Sequence, residues 1–293
     1  MALEVKELKK RYKVCETRKE MWRNIYEEAY EFCLPMRNLY DGYAEQDTPG
    51  QNKMKRVFDS TAIHSTSRFA NRIQSALFPP QQQWCRLRPG PDVPPERKVE
   101  AQQILDQYTT KMFSVMRQSG FDLAIGEFLL DLAVGTACML IQKGDELQPI
   151  RFTAIPMYQV TFDEGPMGKP NFVYRRFKKP FEAIQKEFPE VDMPDELIEK
   201  YKERPMEKVE LLEATYPNED GEYDYCLMTM EGDYKILHKV LKSFPWVISR
   251  YMVAPGEIYG RGVCLYALPD IKTLNKVVEL NLKNASLSIG GVF

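Results

Sequence analysis

The sequence has little histidine and no closely spaced cysteines. Its only histidines are His64 and His238, and its six cysteines form no Cys-x-x-Cys pair. Because zinc sites are built from clustered cysteine and histidine, this spacing argues against a metal site. Most of the cysteines stand among apolar neighbours, which favours small buried side chains in a reducing compartment over reactive thiols or disulfides. The cysteines are Cys15, Cys33, Cys85, Cys138, Cys226 and Cys264.

No charge of one sign dominates, and no long hydrophobic run is present. The 293 residues include 40 Lys and Arg against 42 Asp and Glu, a formal net charge of -2. A domain that attracts DNA through its overall charge is strongly basic, so any DNA contact here must be local. No segment approaches the roughly 20 apolar residues of a membrane span, and the N-terminus lacks the apolar stretch of a secretion signal. We expect a soluble protein, made in the cytoplasm, with no membrane partner.

The common catalytic motifs are also missing. The sequence has no Gly-x-x-x-x-Gly-Lys-Ser/Thr phosphate loop, no Gly-x-Gly-x-x-Gly after a strand and no Gly-x-Ser-x-Gly turn. We therefore expect neither an enzyme nor a bound cofactor. One alternative stays open, because Glu127 and Asp131, one helical turn apart, could serve a metal-assisted nuclease or hydrolase. Acidic residues on an amphipathic helix more commonly form its solvated face.

Hydrophobic periodicity divides the chain into a helical part and a β-rich part. The helical period predicts four helices before Gly135, and from Thr136 the period changes to two, which predicts a compact antiparallel sheet or small barrel. The composition of residues 38–52 predicts a loop. The fold class is therefore predicted to be α+β. The predicted helices cover residues 3–33, 60–78, 94–119 and 122–134, and the predicted strands cover 137–142, 150–155, 158–162, 171–177, 209–215, 223–229, 234–241 and 246–251, with short helices at 181–188 and 194–201.

A last helix is expected to begin near Pro269, since proline is favoured in a first turn. In this helix Lys272, Lys276, Glu279 and Lys283 recur at i, i+4, i+7 and i+11, which places them along one face. An apolar stripe lies opposite. Taken alone, this pattern is typical of an ordinary amphipathic helix.

The tract that precedes this helix is rich in glycine. Gly260 and Gly262 flank Arg261, and the two glycines predict a backbone bend that needs glycine's φ freedom as the strand passes into the helix. The sequence stops at the apolar residues 289–293, which suggests a truncated or partial protein. A terminal strand docked on its own domain is the alternative.

Two other features could indicate nucleic-acid binding, and each has a plainer interpretation. One is a modest basic patch, which is more commonly a solvated loop. The other is Trp84 near two arginines, which could stack a base, although burial of the indole against the helices is favoured. Trp22 and Trp246 lie on apolar faces and are predicted core residues. The basic patch comprises Lys53, Lys55, Arg56, Arg68 and Arg72, and the arginines near Trp84 are Arg86 and Arg88.

Three stretches resemble the portal, or head-to-tail connector, proteins of short-tailed bacteriophages. They cover residues 59–87, 131–139 and 246–275, in the family's order and approximate spacing. The third stretch contains Trp-Val-Ile-Ser-Arg-Tyr-Met-Val-Ala-Pro-Gly-Glu-Ile-Tyr-Gly-Arg-Gly and then Ala-Leu-Pro-Asp-Ile-Lys-Thr-Leu-Asn. The first contains Asp-Ser-Thr-Ala, Leu-Phe-Pro-Pro and Trp-Cys-Arg-Leu, and the second reads Asp-Leu-Ala-Val-Gly-Thr-Ala-Cys-Met.

This resemblance implies a structural subunit of a ring, usually of twelve copies, at one vertex of the viral head. The ring would be the conduit for genome packaging and ejection, located at the head-tail vertex of the virion after assembly in the host cytoplasm. The implied partners are further copies of the chain, the major capsid protein, scaffold, the terminase large subunit, tail adaptor proteins and double-stranded DNA bound non-specifically. A monomeric virion adaptor or scaffold protein is the remaining alternative.

The resemblance also implies an arrangement within the chain, the portal-protein fold. Residues 1–135 would form the helical part of the wing, 136–265 its β-rich part, and 266–293 the first stem helix, with the family's clip, second stem helix and crown absent. Lysines of the last helix would face the DNA channel. The implied channel residues are Lys272, Lys276 and Lys283, and the implied wing-to-stem hinge consists of Gly256, Gly260, Gly262 and Pro269.

Overall fold

A computed structural model describes residues 3–37, 56–80, 82–165, 168–188, 195–201, 204 and 206–289. Three sequence predictions fall outside these residues: the loop at 38–52, the patch lysines Lys53 and Lys55, and the apolar end at 290–293. Within the described ranges, every helix is too short or too polar to cross a membrane.

The described part of the chain contains seven α-helices, which follow the predicted periodicity. Gly120, with a φ of 72°, separates the third helix from the fourth in the left-handed conformation that glycine adopts without strain. The helices are α1 Val5–Cys33, α2 Thr61–Leu77, α3 Lys98–Gln118, α4 Phe121–Val134, α5 Phe181–Glu187, α6 Asp195–Tyr201 and α7 Val263–Ile289, and a 3-10 turn at Pro95–Arg97 precedes α3.

Eight strands of the described residues form two antiparallel sheets. They are β1 Thr136–Lys143, β2 Ile150–Ile155, β3 Val160–Glu164, β4 Pro170–Pro180, β5 Lys208–Pro217, β6 Tyr223–Thr229, β7 Lys235–Leu241 and β8 Trp246–Arg250. The first sheet has the order β2-β1-β8 and the second β3-β4-β5-β6-β7. The indole N–H of Trp246 in β8 donates to Oγ1 of Thr215 in β5 at 3.0 Å. This bond ties the two sheets together and confirms Trp246 as a core residue.

β1 lies at the centre of the molecule because both of its faces are covered. Ala137 and Met139 pack in a cluster with α2 and α4, whereas Cys138 and Leu140 pack in a cluster with α1 and the start of α7. Successive side chains of a strand point to opposite faces, so the period of two in the sequence directs alternate residues to the two clusters. β1 is therefore the element that joins the helical part to the β-rich part.

α1 contacts both sheets along its length. Its N-terminal half buries Leu8 and Tyr12 against the second sheet, and its C-terminal half buries Tyr26 near the first. Between them lies Lys19, whose Nζ donates to the carbonyl oxygen of Tyr158 at 2.8 Å. Burial lowers the pKa of Lys19 to about 7, because the charged ammonium loses its water. The long amphipathic helix thus carries one buried cationic residue in an otherwise apolar face.

These elements confirm the predicted α+β fold, with helices first, antiparallel sheets next and a helix at the C-terminal end. The expected start of the last helix at Pro269 is wrong, because α7 begins at Val263 and contains Pro269. The N–H groups of Leu265 and Tyr266 donate to the carbonyl oxygen of Gly262 at 3.1 and 3.3 Å, which anchors the first turn there. A proline inside a helix removes one backbone hydrogen bond and crowds the carbonyl four residues earlier, so Pro269 is a local cost that the other contacts of α7 offset.

Candidate functional site at the base of the C-terminal helix

Gly260 and Gly262 lie where the chain enters α7, and at this glycine junction backbone packs directly on backbone. The N–H of Gly262 donates to the carbonyl oxygen of Val134 at 2.9 Å. A Cβ on Gly262 would lie 2.5 Å from that oxygen, and a Cβ on Gly260 would lie 2.5 Å from the carbonyl oxygen of Gly135. Real Cβ contacts are essentially never that short. The end of α4 and the start of β1 therefore touch the segment before α7 so closely that no side chain fits between them.

Two buried hydroxyl groups hold the same segment in place. Oγ1 of Thr136 accepts the N–H of Gly260 at 2.8 Å and lies 3.1 Å from the phenol oxygen of Tyr26. The Tyr26 hydroxyl donates to the carbonyl oxygen of Gly260. Burial raises the pKa of Tyr26, so its phenol remains a protonated donor at neutral pH. α1, β1 and the entry to α7 are thus joined through both polar backbone groups of one glycine.

The prediction that Gly260 and Gly262 supply φ freedom is wrong. Neither residue has a φ in the left-handed region that favours glycine; close backbone approach is what requires glycine at both positions. Gly256 does have a φ of 85°, in a turn where the N–H of Glu257 donates to the carbonyl oxygen of Ala254 at 3.0 Å. Of the four proposed hinge residues, Gly256 alone therefore occupies a conformation that favours glycine, and Pro269 lies inside α7.

Asn275 fixes the middle of α7 to the body. Its Oδ1 accepts the backbone N–H groups of Phe58 and Asp59 at 2.7 and 3.2 Å, and its Nδ2 donates to the carbonyl oxygen of Arg56 at 2.8 Å. Asn275 is buried, so these three bonds replace the water that its amide would otherwise bind. Sequence reasoning missed this residue, although a lone amide four residues after Ile271, on the apolar side of the helix, was a usable signal.

The lysines of α7 lie on one exposed face, as predicted, and each has an acidic partner. Lys276 and Lys283 both form ion pairs with Glu279, at 2.9 and 2.5 Å, and these contacts lower the pKa of the Glu279 carboxyl group. Lys272 instead bonds Glu28 of α1 at 3.0 Å, a partner that the local pattern could not reveal. With Glu28 and Glu279 both counted, the three lysines leave a small excess of positive charge in a stripe along the helix.

Exposed apolar side chains lie on both sides of this lysine stripe. At about 100° per residue, Leu282 lies about 100° to one side of the lysines and Val277 about 120° to the other. Both are roughly half exposed, and Ile289, on the same side as Leu282, is 87% exposed. A helix that is apolar on several sides is usually covered by neighbouring elements. Among the described residues, none covers the last two turns of α7.

The carboxylates suggested for metal-assisted catalysis are held by an arginine. Arg37 pairs with buried Asp131 and with exposed Glu127, the latter at 3.5 Å. Asp131 also accepts the hydroxyl of Tyr30 at 3.0 Å. Burial raises the pKa of Asp131, and the contacts with Arg37 and Tyr30 oppose that shift. In the described ranges, no group of three or more His, Cys, Asp or Glu side chains is placed to hold a metal ion.

The described residues of the two features that suggested nucleic-acid binding have structural roles or lie singly on the surface. Arg56 pairs with Glu31 at 3.3 Å, whereas Arg68 and Arg72 lie on the exposed face of α2. Trp84 packs in an aromatic cluster, with ring centroids 5.0 Å from Phe78, 5.3 Å from Phe113 and 5.9 Å from Phe121. The predicted packing of its indole against the helices is confirmed, although Trp84 is only partly buried. Close to it, Arg86 forms an ion pair with Asp106, and Arg88 is exposed.

Comparison with known proteins supports one family. No match is found among curated proteins. A family model described as bacteriophage head to tail connecting protein matches residues 5–293, which include both sheets, all the described helices and the glycine junction. The matched range covers nearly the whole chain, and the chain therefore belongs to the bacteriophage head-to-tail connecting protein family.

Proposed function

We propose that copies of this chain form a ring at the head-tail vertex of a bacteriophage, with α7 lining a central channel for double-stranded DNA. The observation that carries this proposal is the surface of α7. Its lysine stripe is flanked on both sides by exposed apolar side chains, Leu282 on one side and Val277 on the other. A channel-wall helix needs such a surface, since it meets DNA on one face and a neighbouring copy on each flank.

The lysine stripe suits a conduit for DNA. Lys276 and Lys283 are exposed, and both share the single carboxylate of Glu279, so each copy presents a modest excess of positive charge. Phosphate contacts of this kind are independent of base sequence, and their strength grows with the number of cations involved. A ring of weakly positive helices would attract DNA and still let it slide.

The glycine junction would hold α7 at a fixed angle to the body. Gly260 and Gly262 are packed against backbone, and Asn275 adds a second attachment further along the helix. We propose that any hinge between body and helix is confined to the turn at Gly256. If α7 makes the same angle with the body in every copy of the ring, the channel would have the same width all the way round.

The remaining roles follow from the connector family and are proposals of the same kind. A head-to-tail connector at this vertex would contact the major capsid protein and scaffold during assembly, the terminase large subunit during packaging and tail adaptors afterwards. Packaging and ejection would both pass DNA through the ring. The family is one of structural proteins, so the proposal assigns no catalytic step to this chain.

Ring formation is tested by measuring the particle mass of the protein expressed from its complete gene, by mass photometry and negative-stain microscopy. We expect closed rings with a central hole. Val277→Asp with Leu282→Asp should leave single subunits, because charges would replace both apolar flanks. Leu147→Asp is the matched control, since Leu147 is 85% exposed and lies far from α7 in the chain. A wild-type protein that stays a single subunit at high concentration would favour a monomeric adaptor instead.

The DNA-facing role is tested separately with Lys276→Gln and Lys283→Gln together. We expect rings of normal mass but reduced DNA packaging, because the stripe would then carry the uncompensated charge of Glu279. Lys10→Gln with Lys13→Gln is the control, since both lysines are exposed on α1. Normal packaging by the α7 variant would remove these lysines from the channel while leaving the ring proposal intact.

A further inference from the structure

Two thiols from opposite ends of the sequence meet beside the glycine junction. Cys33 is the last residue of α1 and Cys264 lies in the first turn of α7, and both side chains pack in one buried cluster. The hydroxyl of Thr66 in α2 lies 3.5 Å from Sγ of Cys264. Both cysteines are free thiols. Sequence reasoning treated them as separate buried hydrophobes, because no local pattern links positions so far apart.

The paired thiols also line an open groove. The groove has a volume of about 410 Å³ and lies between the end of α1, the start of α2 and the start of α7. Its walls are largely apolar, with Asp59 and Asp270 among the lining residues. Although both sulfurs belong to well-buried residues, a small reagent can approach them along this groove.

The electrostatic surroundings of the two sulfurs differ. The interaction between the two thiols lowers the pKa of Cys264 and raises that of Cys33. The helix dipoles act in the same direction, because Cys264 lies at the N-terminal end of α7 and Cys33 at the C-terminal end of α1. Cys264 is therefore the better nucleophile, and Cys33 is placed to react second.

We propose that Cys33 and Cys264 form a modification site that reacts with low-molecular-weight disulfides and closes to an intramolecular disulfide between α1 and α7. This inference is independent of ring formation and goes beyond the conduit role. It rests on the packing of the two cysteines in one buried cluster and on the groove that both of them line.

The reaction balances as two thiol-disulfide exchanges. The Cys264 thiolate attacks one sulfur of the small disulfide, whose S–S bond breaks, and a small thiolate leaves and takes up a proton. Cys33 then loses its proton and attacks Sγ of Cys264, which expels the second small thiol. Two protein thiols are oxidised, and one small disulfide is reduced to two thiols.

The new bond would tie the start of α7 to the end of α1. It would close a loop between residues 33 and 264, so the unfolded chain would lose much of its conformational freedom. In a reducing cytoplasm both thiols would stay reduced, and in oxidising surroundings the disulfide bond would form. The closed form should unfold about 5 °C or more above the reduced form.

The test treats the reduced, desalted protein with oxidised glutathione and digests it with trypsin without reductant. We expect a linked pair of peptides, residues 24–37 with 262–272, whose mass is about 2 Da below the sum of the two reduced peptides. The unfolding temperature should rise, and dithiothreitol should reverse both changes. Cys33→Ser should retain one glutathione on Cys264, because the second exchange has no thiol.

Cys85→Ser is the matched control, since Cys85 is an exposed free thiol outside the groove. It should leave the linked peptide pair unchanged. A wild-type protein that gives no linked pair would overturn the proposal, whether it stays reduced or carries glutathione only. Glutathione held on Cys33 rather than Cys264 would overturn the assigned order of reaction. Linkage that survives Cys264→Ser would assign the chemistry to another thiol.

Discussion

Replacing Gly262 by alanine would place a methyl group against backbone that has little freedom to move. The added Cβ would lie 2.5 Å from the carbonyl oxygen of Val134 and closer still to that of Ala133. Both oxygens belong to the C-terminal end of α4, which is packed in the core. To relieve this clash, the segment that enters α7 would have to move away from α4.

The expected loss of stability has two parts. An extra methyl group in a well-packed interior costs about 1–3 kcal/mol. Moving the segment would also weaken the 2.9 Å hydrogen bond from Gly262 to Val134, which contributes about 0.5–1.5 kcal/mol. The sum is about 3 kcal/mol. In a chain of this size each kcal/mol lowers Tm by about 2–4 °C, so Gly262→Ala should lower Tm by about 6–12 °C.

The assay is thermal unfolding followed by circular dichroism, with two glycine controls. A Cβ on Gly90 would meet no atom within 4 Å, so Gly90→Ala should change stability by less than about 0.5 kcal/mol. Gly256 also has open space, but its φ is 85°, so Gly256→Ala should cost about 1 kcal/mol through backbone strain. The expected order is Gly262→Ala lowest, Gly256→Ala intermediate and Gly90→Ala unchanged. A Tm for Gly262→Ala within about 2 °C of that for Gly90→Ala would refute the close-packing argument.

Two further changes test other parts of the structure. Asn275→Leu should destabilise the protein by about 2–3 kcal/mol in denaturant unfolding, because the backbone groups of Arg56, Phe58 and Asp59 lose their partner; an unchanged midpoint would contradict this role. Lys19→Met tests the lowered pKa of buried Lys19. Above pH 7 the folded wild type has lost the Lys19 proton that the unfolded chain still holds, so its free energy of unfolding should rise with pH. From pH 7 to pH 9 the wild type should gain about 2 kcal/mol relative to Lys19→Met, and parallel pH profiles would show that Lys19 keeps an ordinary pKa.

The helices and strands were predictable because their signals are local. The change from helical to alternating periodicity at Thr136 marks the start of β1, and the alternation along β1 sends its side chains to two cores. Every predicted helix and strand within the described ranges has a counterpart in the structure. The start of α7 was misplaced because a proline preference was given more weight than the apolar residues from Val263 onward.

The contacts at the candidate site were not predictable, because they join residues far apart in the sequence. Gly260 and Gly262 indicated an unusual backbone, as predicted, but the reason for glycine there is that the backbone of α4 and β1 lies too close for a side chain, not a special φ. The pairing of Lys272 with Glu28 spans most of the chain. Arg37 lies between Glu127 and Asp131, so a pair of carboxylates that suggested a metal site is instead part of an ion-pair network. The surface of α7 was the most informative part, since the spacing of its lysines is preserved in a regular helix.

An electron cryo-microscopy reconstruction of the assembled protein, detailed enough to place the side chains of α7, tests the conduit role most directly. We expect a closed ring in which Lys272, Lys276 and Lys283 face the central hole and Val277 and Leu282 face the two neighbouring copies. A ring whose hole is lined by another element, or particles that form no ring, would contradict the proposed role.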